Sequence, residues 1–197
     1  MGKVRWPDPA KIFAGLLTSH PDLLAEAKVR LVAHLGPIDL ESEVWDFKFT
    51  DYYQKEMGPK LKRQFVSFSH LQSPEELPRI KILTNQIEWD LAVEGKRRVN
   101  IDPGYVNLAK LVLATTKDYS HRLYLGHGIY GEVTLIYRKG GWQALPWTYM
   151  DYRSQSYLEF FLRLRELYQR QLRSATSYQQ ALSCGRLEDK LPNQEGV

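Results

Sequence analysis

Residues 97–104, Arg97-Arg98-Val99-Asn100-Ile101-Asp102-Pro103-Gly104, decide how the chain is read. RRVNI is a short β-type run, and Asp-Pro-Gly after it carries turn chemistry: an Asp that bonds forward to backbone, a Pro with fixed φ and a permissive Gly. A strand there completes a series begun upstream. Lys11–Thr18 (KIFAGLLT) is an apolar run of strand length, buried on both faces. A helix follows from Ser19-His20-Pro21-Asp22, with Leu24, Ala27, Leu31 and Leu35 at helical spacing and Gly36-Pro37 as its stop. Glu43–Thr50 and Leu61–Leu71 alternate apolar and polar residues as strands do. Ser73-Pro74-Glu75-Glu76 then opens a second helix bearing Leu77, Ile80, Leu83 and Ile87.

The order is β-α-β-β-α-β, the split pattern of a ferredoxin-like α+β sandwich. Downstream, Leu108–Ala114 is a short helix or strand, and Leu123–Leu125, Glu132–Tyr137 and Trp142–Trp147 read as further antiparallel strands. From Ser154 to Arg173 the apolar positions Tyr157, Phe160, Phe161, Leu164, Leu167, Tyr168 and Leu172 mark a helix that docks on the core. The expected organisation is a single α+β domain over residues 1–173 and a flexible polar tail over 174–197.

Composition narrows the partners. Lys and Arg total 27 against 23 Asp and Glu, a net of +4, with no block of five or six like charges, so an anionic partner is permitted but not demanded. One cysteine, Cys184, rules out an internal disulfide and a multi-cysteine zinc site. No run of about 18 apolar residues occurs and the first residues lack a leader-like segment. A cytoplasmic chain with no membrane partner is expected.

Candidate chemistry concentrates between Arg97 and Arg153. Asp102 at a strand end, His121, and Glu132 at a strand start are the candidate catalytic groups: a carboxylate as general base or metal ligand, an imidazole as acid/base. Arg97, Arg98, Asn100, Lys117, Asp118, Arg122 and Arg153 are the candidate ligand-binding side chains, since forked guanidinium donors grip phosphate. Ionisable residues this dense in an otherwise apolar stretch are costly unless paired or used. The cofactor is not specified; a divalent metal is compatible with the carboxylates, though no ligand set is defined.

Two motifs fail on context. Gly126-His127-Gly128-Ile129-Tyr130-Gly131-Glu132-Val133 fits the G-x-G-x-x-G-x-V loop of protein kinases, but no V-A-I-K, H-R-D or D-F-G follows. A strand rather than a helix follows these glycines, so the dinucleotide-binding version fails too. What remains is a glycine-rich turn, with Gly126 and Gly128 able to present backbone N–H groups to an anion. Thr116-Lys117-Asp118 lacks the spacer of the guanine-reading N/T-K-x-D motif, and no phosphate loop exists, which excludes a P-loop GTPase.

The set Asn100–Tyr105 (NIDPGY), Leu113–Asp118 (LATTKD), His121-Arg122, Gly128-Ile129, Glu132–Leu135 (EVTL), Trp147-Thr148-Tyr149 and Asp151-Tyr152-Arg153 resembles the domain of unknown function 4416 family, over about Lys11 to Arg173. Met150 stands where that pattern has Pro. Members are sometimes labelled GTP-binding, a label this chain's motifs do not support. The resemblance implies a site location and no reaction. Two readings follow: a nucleotide- or phosphate-ester-binding protein, whether or not an enzyme, or a non-enzymatic module whose basic, aromatic-rich surface binds RNA or a protein.

Overall fold

Strand β1 (Ala10–Thr18) is buried along its whole length and so needs cover on both faces. In the computed structural model, which describes residues 2–50 and 54–183, that cover comes from opposite sides of one antiparallel sheet. The elements in order are α1 (Asp22–Leu35), β2 (Ile38–Glu41), β3 (Trp45–Asp46), α2 (Gln54–Met57), β4 (Lys62–Gln72), α3 (Leu77–Asp90), β5 (Val99–Val106), β6 (Lys110–Thr115), β7 (Leu123–Gly126), β8 (Ile129–Arg138), β9 (Gly141–Ala144) and α4 (Gln155–Ser183). The nine strands run β2-β4-β1-β5-β6-β8-β7, with β3 beside β4 and β9 beside β8. This is the α+β architecture expected from the element order.

Alternation along the strands assigns the two cores. Ile12, Ala14 and Leu16 of β1, Val66 and Phe68 of β4, and Val99 and Ile101 of β5 face α1 and α3, packing on Leu24, Ala27, Leu31, Ile80 and Ile87. Phe13, Phe65, Val106 and Leu135 face α4 and meet Tyr157, Phe160, Phe161 and Leu164. Phe65 is the hub of that side, with ring centroids 4.7 Å from Tyr157 and 5.0 Å from Phe161, edge to face. Gly36 closes α1 at φ 88°, where a Cβ would lie 2.4 Å from the His70 ring, so no other residue fits that stop.

Three local expectations need correction. Asp102-Pro103-Gly104 does not end a strand: β5 continues to Val106 because it pairs with β1 in unbroken register from Thr18↔Val99 to Lys11↔Val106. Only Trp45–Asp46 of the segment 43–50 is strand, while Ile38–Glu41 is one as well. Both short strands line the same edge of β4, joined across Ser42, which takes the Phe65 carbonyl with its N–H and the Phe65 N–H with its hydroxyl. Strand β8 starts at Ile129, directly after a two-residue hairpin turn in which His127 and Gly128 both have positive φ. Of the expected tail, residues 174–183 continue α4 and the rest lies outside the described residues. Among the described residues no helix is long and apolar enough to cross a membrane.

Candidate functional site

The sheet splits between β5 and β6. The two strands pair only at Gly104↔Leu113, Tyr105↔Val112 and Val106↔Leu111. The next rung would require an N–H that Pro103 lacks. Two residues earlier on the same strand edge, Ile101 finds no strand partner away from β1. Its N–H donates to Glu88 Oε1 at 2.7 Å and its carbonyl accepts from Lys81 Nζ at 3.0 Å, both from α3. Buried backbone groups need such partners. Gly104 allows the last shared rungs to close: a Cβ there would stand 2.5 Å from the Val112 carbonyl oxygen. Beyond it the gap opens into a cavity of about 840 Å³, where side chains from both faces of the sheet meet.

One wall is a continuous ionic network. Arg63, on β4, is 3% exposed; its Nη1 lies 3.3 Å from Asp102 and its Nη2 3.6 Å from Asp151. The guanidinium also sits over the rings of Phe47 and Phe65. Asn100 donates to Asp102 Oδ2 at 2.8 Å and accepts from Arg97 Nη1 at 3.0 Å. Arg97 in turn grips Glu56 in a forked pair, 2.9 and 2.7 Å, and reaches Glu88 at 3.5 Å. Burial pushes the carboxyls of Asp151 and Glu88 above the ordinary range, with Arg63 and Lys81 respectively opposing it. The Arg97 hydrogen bonds hold Glu56 below that range. Burial disfavours the Arg63 charge, yet Asp102, Tyr157 and Asp151 outweigh it and raise its pKa.

The opposite wall is built from β8 and the segment before β7. Glu132 is buried on β8 opposite Leu113. It receives Arg122 Nε at 2.9 Å and stands 3.0 Å from His121 Nε2. Arg122 extends the cluster to the Lys117 carbonyl and to the Tyr149 hydroxyl, at 3.0 and 2.7 Å. The His121 ring stacks on Trp147, centroids 5.2 Å apart and planes 16° apart. Trp147 is itself pinned by its indole N–H to the Val133 carbonyl at 2.9 Å.

Seven of the residues singled out in the sequence, Arg97, Asn100, Asp102, Lys117, His121, Arg122 and Glu132, line this one cavity. Five others do not. Gly126 and Gly128 belong to the hairpin turn between β7 and β8, and Asp118 lies exposed in the loop before it. Arg153 staples a loop, donating to the carbonyls of Thr148, Leu145 and Pro146. Arg98 offers its carbonyl to the Thr18 hydroxyl and is not part of the lining. The cavity also takes Arg63, Lys81, Glu88 and Asp151, which sequence reasoning left out of the site. Signals for three of them existed. Arg63 occupies the same strand face as Phe65, a core-facing position. Lys81 and Glu88 fall seven apart on α3, on the buried side with Thr84.

Among the described residues no group of three or more His, Cys, Asp or Glu is arranged to hold a metal ion. Fold and site together define an α+β protein with a charged, aromatic-walled cavity where an antiparallel sheet divides. The chain belongs to the family described as Domain of unknown function (DUF4416), whose model matches residues 8–168. No curated protein and no solved structure matches it.

Proposed function

We propose that the protein binds a nucleotide- or phosphate-ester-type ligand in the cavity between β5 and β6. The observation that carries this is the joint lining: flat apolar faces from Phe47, Phe49, Trp147 and Tyr149 beside five cations, Arg63, Lys81, Arg97, Lys117 and Arg122. Aromatic faces suit a base or other planar group, and cations suit its phosphate. A volume of about 840 Å³ falls within the range of small-molecule sites. Arg97 and Arg122 already donate to protein acceptors, so they supply a positive field rather than a direct clamp. Lys117, exposed at the rim, adds its charge to that field.

The order β2-β4-β1-β5, with α1 and α3 as crossovers on one face, supports reading that half of the sheet as a ferredoxin-like unit. A reducing cytoplasmic setting suits a chain with one cysteine. The competing surface-module reading draws on the exposed Leu123, Tyr124 and Leu125 of edge strand β7. A thermal-shift screen of nucleoside phosphates, sugar phosphates and inorganic phosphate separates the two. The cavity reading expects a raised melting temperature with a nucleotide, abolished in Trp147→Ala and Lys117→Ala proteins that retain their fold. Salt-sensitive retention of an RNA oligonucleotide, unaffected by those substitutions and lost on Tyr124→Ala, would favour the surface instead.

A further inference from the structure

His121 lines the cavity with one ring nitrogen fixed and the other open. Its Nε2 stands 3.0 Å from Glu132 Oε2, the same oxygen that accepts Arg122 Nε at 2.9 Å. A guanidinium stays charged, so the carboxylate it holds acts as acceptor and the imidazole Nε2 as donor. In the neutral ring Nδ1 then carries the lone pair. Among the described residues no group bonds to Nδ1, and the side chain is 20% exposed. The ring is held in this orientation by Trp147, stacked at 5.2 Å, and by Tyr119 at 6.0 Å. The Nδ1 edge is therefore the one left for a ligand.

The fixed cations of the lining are already turned to carboxyl groups. Arg63 faces Asp102 and Asp151, Lys81 faces Glu88, Arg97 faces Glu56 and Glu88, and Arg122 faces Glu132. Their field draws an anion in, but the hydrogen bond to it must come from elsewhere. A neutral His121 would offer lone pair against lone pair. With a proton on Nδ1 the same ring becomes a charged donor. The groups facing it favour that form: Glu132 from β8 puts a negative charge on Nε2, while Trp147, from the segment after β9, and Tyr119, from its own loop, present aromatic faces to the cation. Arg122, through the shared Glu132 oxygen, opposes it.

Resting on the phosphate-ester reading above, we propose that His121 is the residue that touches the ligand's phosphate, and that it does so as the imidazolium, so that ligand and proton bind together. Nδ1–H donates to a phosphate oxygen, Nε2–H remains on Glu132, and the proton is taken from solvent. The phosphate then lies on the β8 wall beside Trp147 and Tyr149. Glu132 is a positioning residue: it sets which ring nitrogen faces the ligand. Only the protonated fraction of His121 is competent, so affinity levels off at low pH and falls as pH rises through the titration of the ring.

The test is isothermal titration calorimetry of the full chain with a nucleoside 3′,5′-cyclic phosphate and, separately, inorganic sulfate, between about pH 5 and about pH 8, in two buffers of different ionisation enthalpy. Both probes keep a fixed charge over this range, whereas a phosphomonoester itself takes up a proton near about pH 6. The expected result is uptake of up to one proton per ligand and an affinity that falls by up to about tenfold per pH unit as pH rises. His121→Gln, which keeps a donor for Glu132 and cannot be charged, should bind about tenfold or more weakly at the acid end and lose the pH dependence. Nitrogen-15 spectra of the wild-type imidazole, which need no variant to fold, should show Nδ1 protonated in the saturated complex. Binding without proton uptake, uptake that persists in His121→Gln, or an Nδ1 that stays unprotonated in the complex overturns the His121 contact and leaves the binding reading standing. Absence of binding by the cyclic phosphate, by sulfate and by every nucleoside 5′-monophosphate overturns both.

Discussion

Replacing Glu132 by alanine probes the second cavity wall. Glu132 is 2% exposed and is the only carboxylate in ion-pair contact with Arg122 among the described residues, whose side chain is 5% exposed. Removing it strands a buried guanidinium, and breaking a buried pair from one side typically costs about 3–5 kcal/mol. For a chain of this size each kcal/mol lowers the melting temperature by about 2–4 °C, so Glu132→Ala should melt roughly 6–20 °C below the wild type. His121 loses its partner at 3.0 Å in the same step. Circular dichroism melts and urea titrations provide the measurement. Glu132→Gln, which keeps shape and one acceptor oxygen, should lose less, and adding Arg122→Met to Glu132→Ala should recover part of the loss by removing the unpaired charge. A drop under about 2 °C for Glu132→Ala would mean that Arg122 is solvated and that this wall is not a closed, desolvated cluster.

Three further outcomes follow from other parts of the structure. Gly104→Ala would place a Cβ 2.5 Å from the Val112 carbonyl oxygen and 2.7 Å from the Phe13 ring, so a loss of about 1–3 kcal/mol or more is expected by urea denaturation. Lys11 is fully buried against Asp39 and Gln171; Lys11→Met should cost roughly 3 kcal/mol, while Lys11→Met with Asp39→Leu should return most of it in a double-mutant cycle. Asp151 and Glu88 have carboxyls raised by burial, so in the window between the ordinary carboxyl pKa and their folded values the native state binds more protons than the unfolded one. Their contribution to stability therefore falls as pH rises through that window, opposite in sign to Glu56, whose lowered carboxyl loses its contribution as pH falls. Unfolding calorimetry in buffers of different ionisation enthalpy should detect the proton linkage, and Asp151→Asn should reduce it.

Much of the fold was legible because its signals are local. The apolar run of β1 and the 3.6-residue stripes of α1, α3 and α4 follow directly from burial. Asp102-Pro103-Gly104 misled because its turn propensity is local, whereas eight rungs of pairing with β1 are not, and tertiary pairing overrode the propensity. The site was legible as a region, since polar groups in an apolar stretch need partners. The partners themselves were not. Arg63 and Lys81 come from elements far earlier in the chain, and only the strand order brings them to Asp102 and Ile101. Arg153 shows the converse: a guanidinium satisfied by three backbone carbonyls looks the same in sequence as one awaiting a ligand.

Two indoles measure most directly whether the split between β5 and β6 is a binding site. Trp147 lines the cavity and stacks on His121, while Trp142 sits in the core beneath α4. Nitrogen-15 spectra recorded during titration with a nucleoside 5′-monophosphate should show a saturable shift of the Trp147 indole N–H and a stationary Trp142. A nucleotide titration that leaves Trp147 unmoved, or that moves both indoles alike, would contradict binding at this cavity.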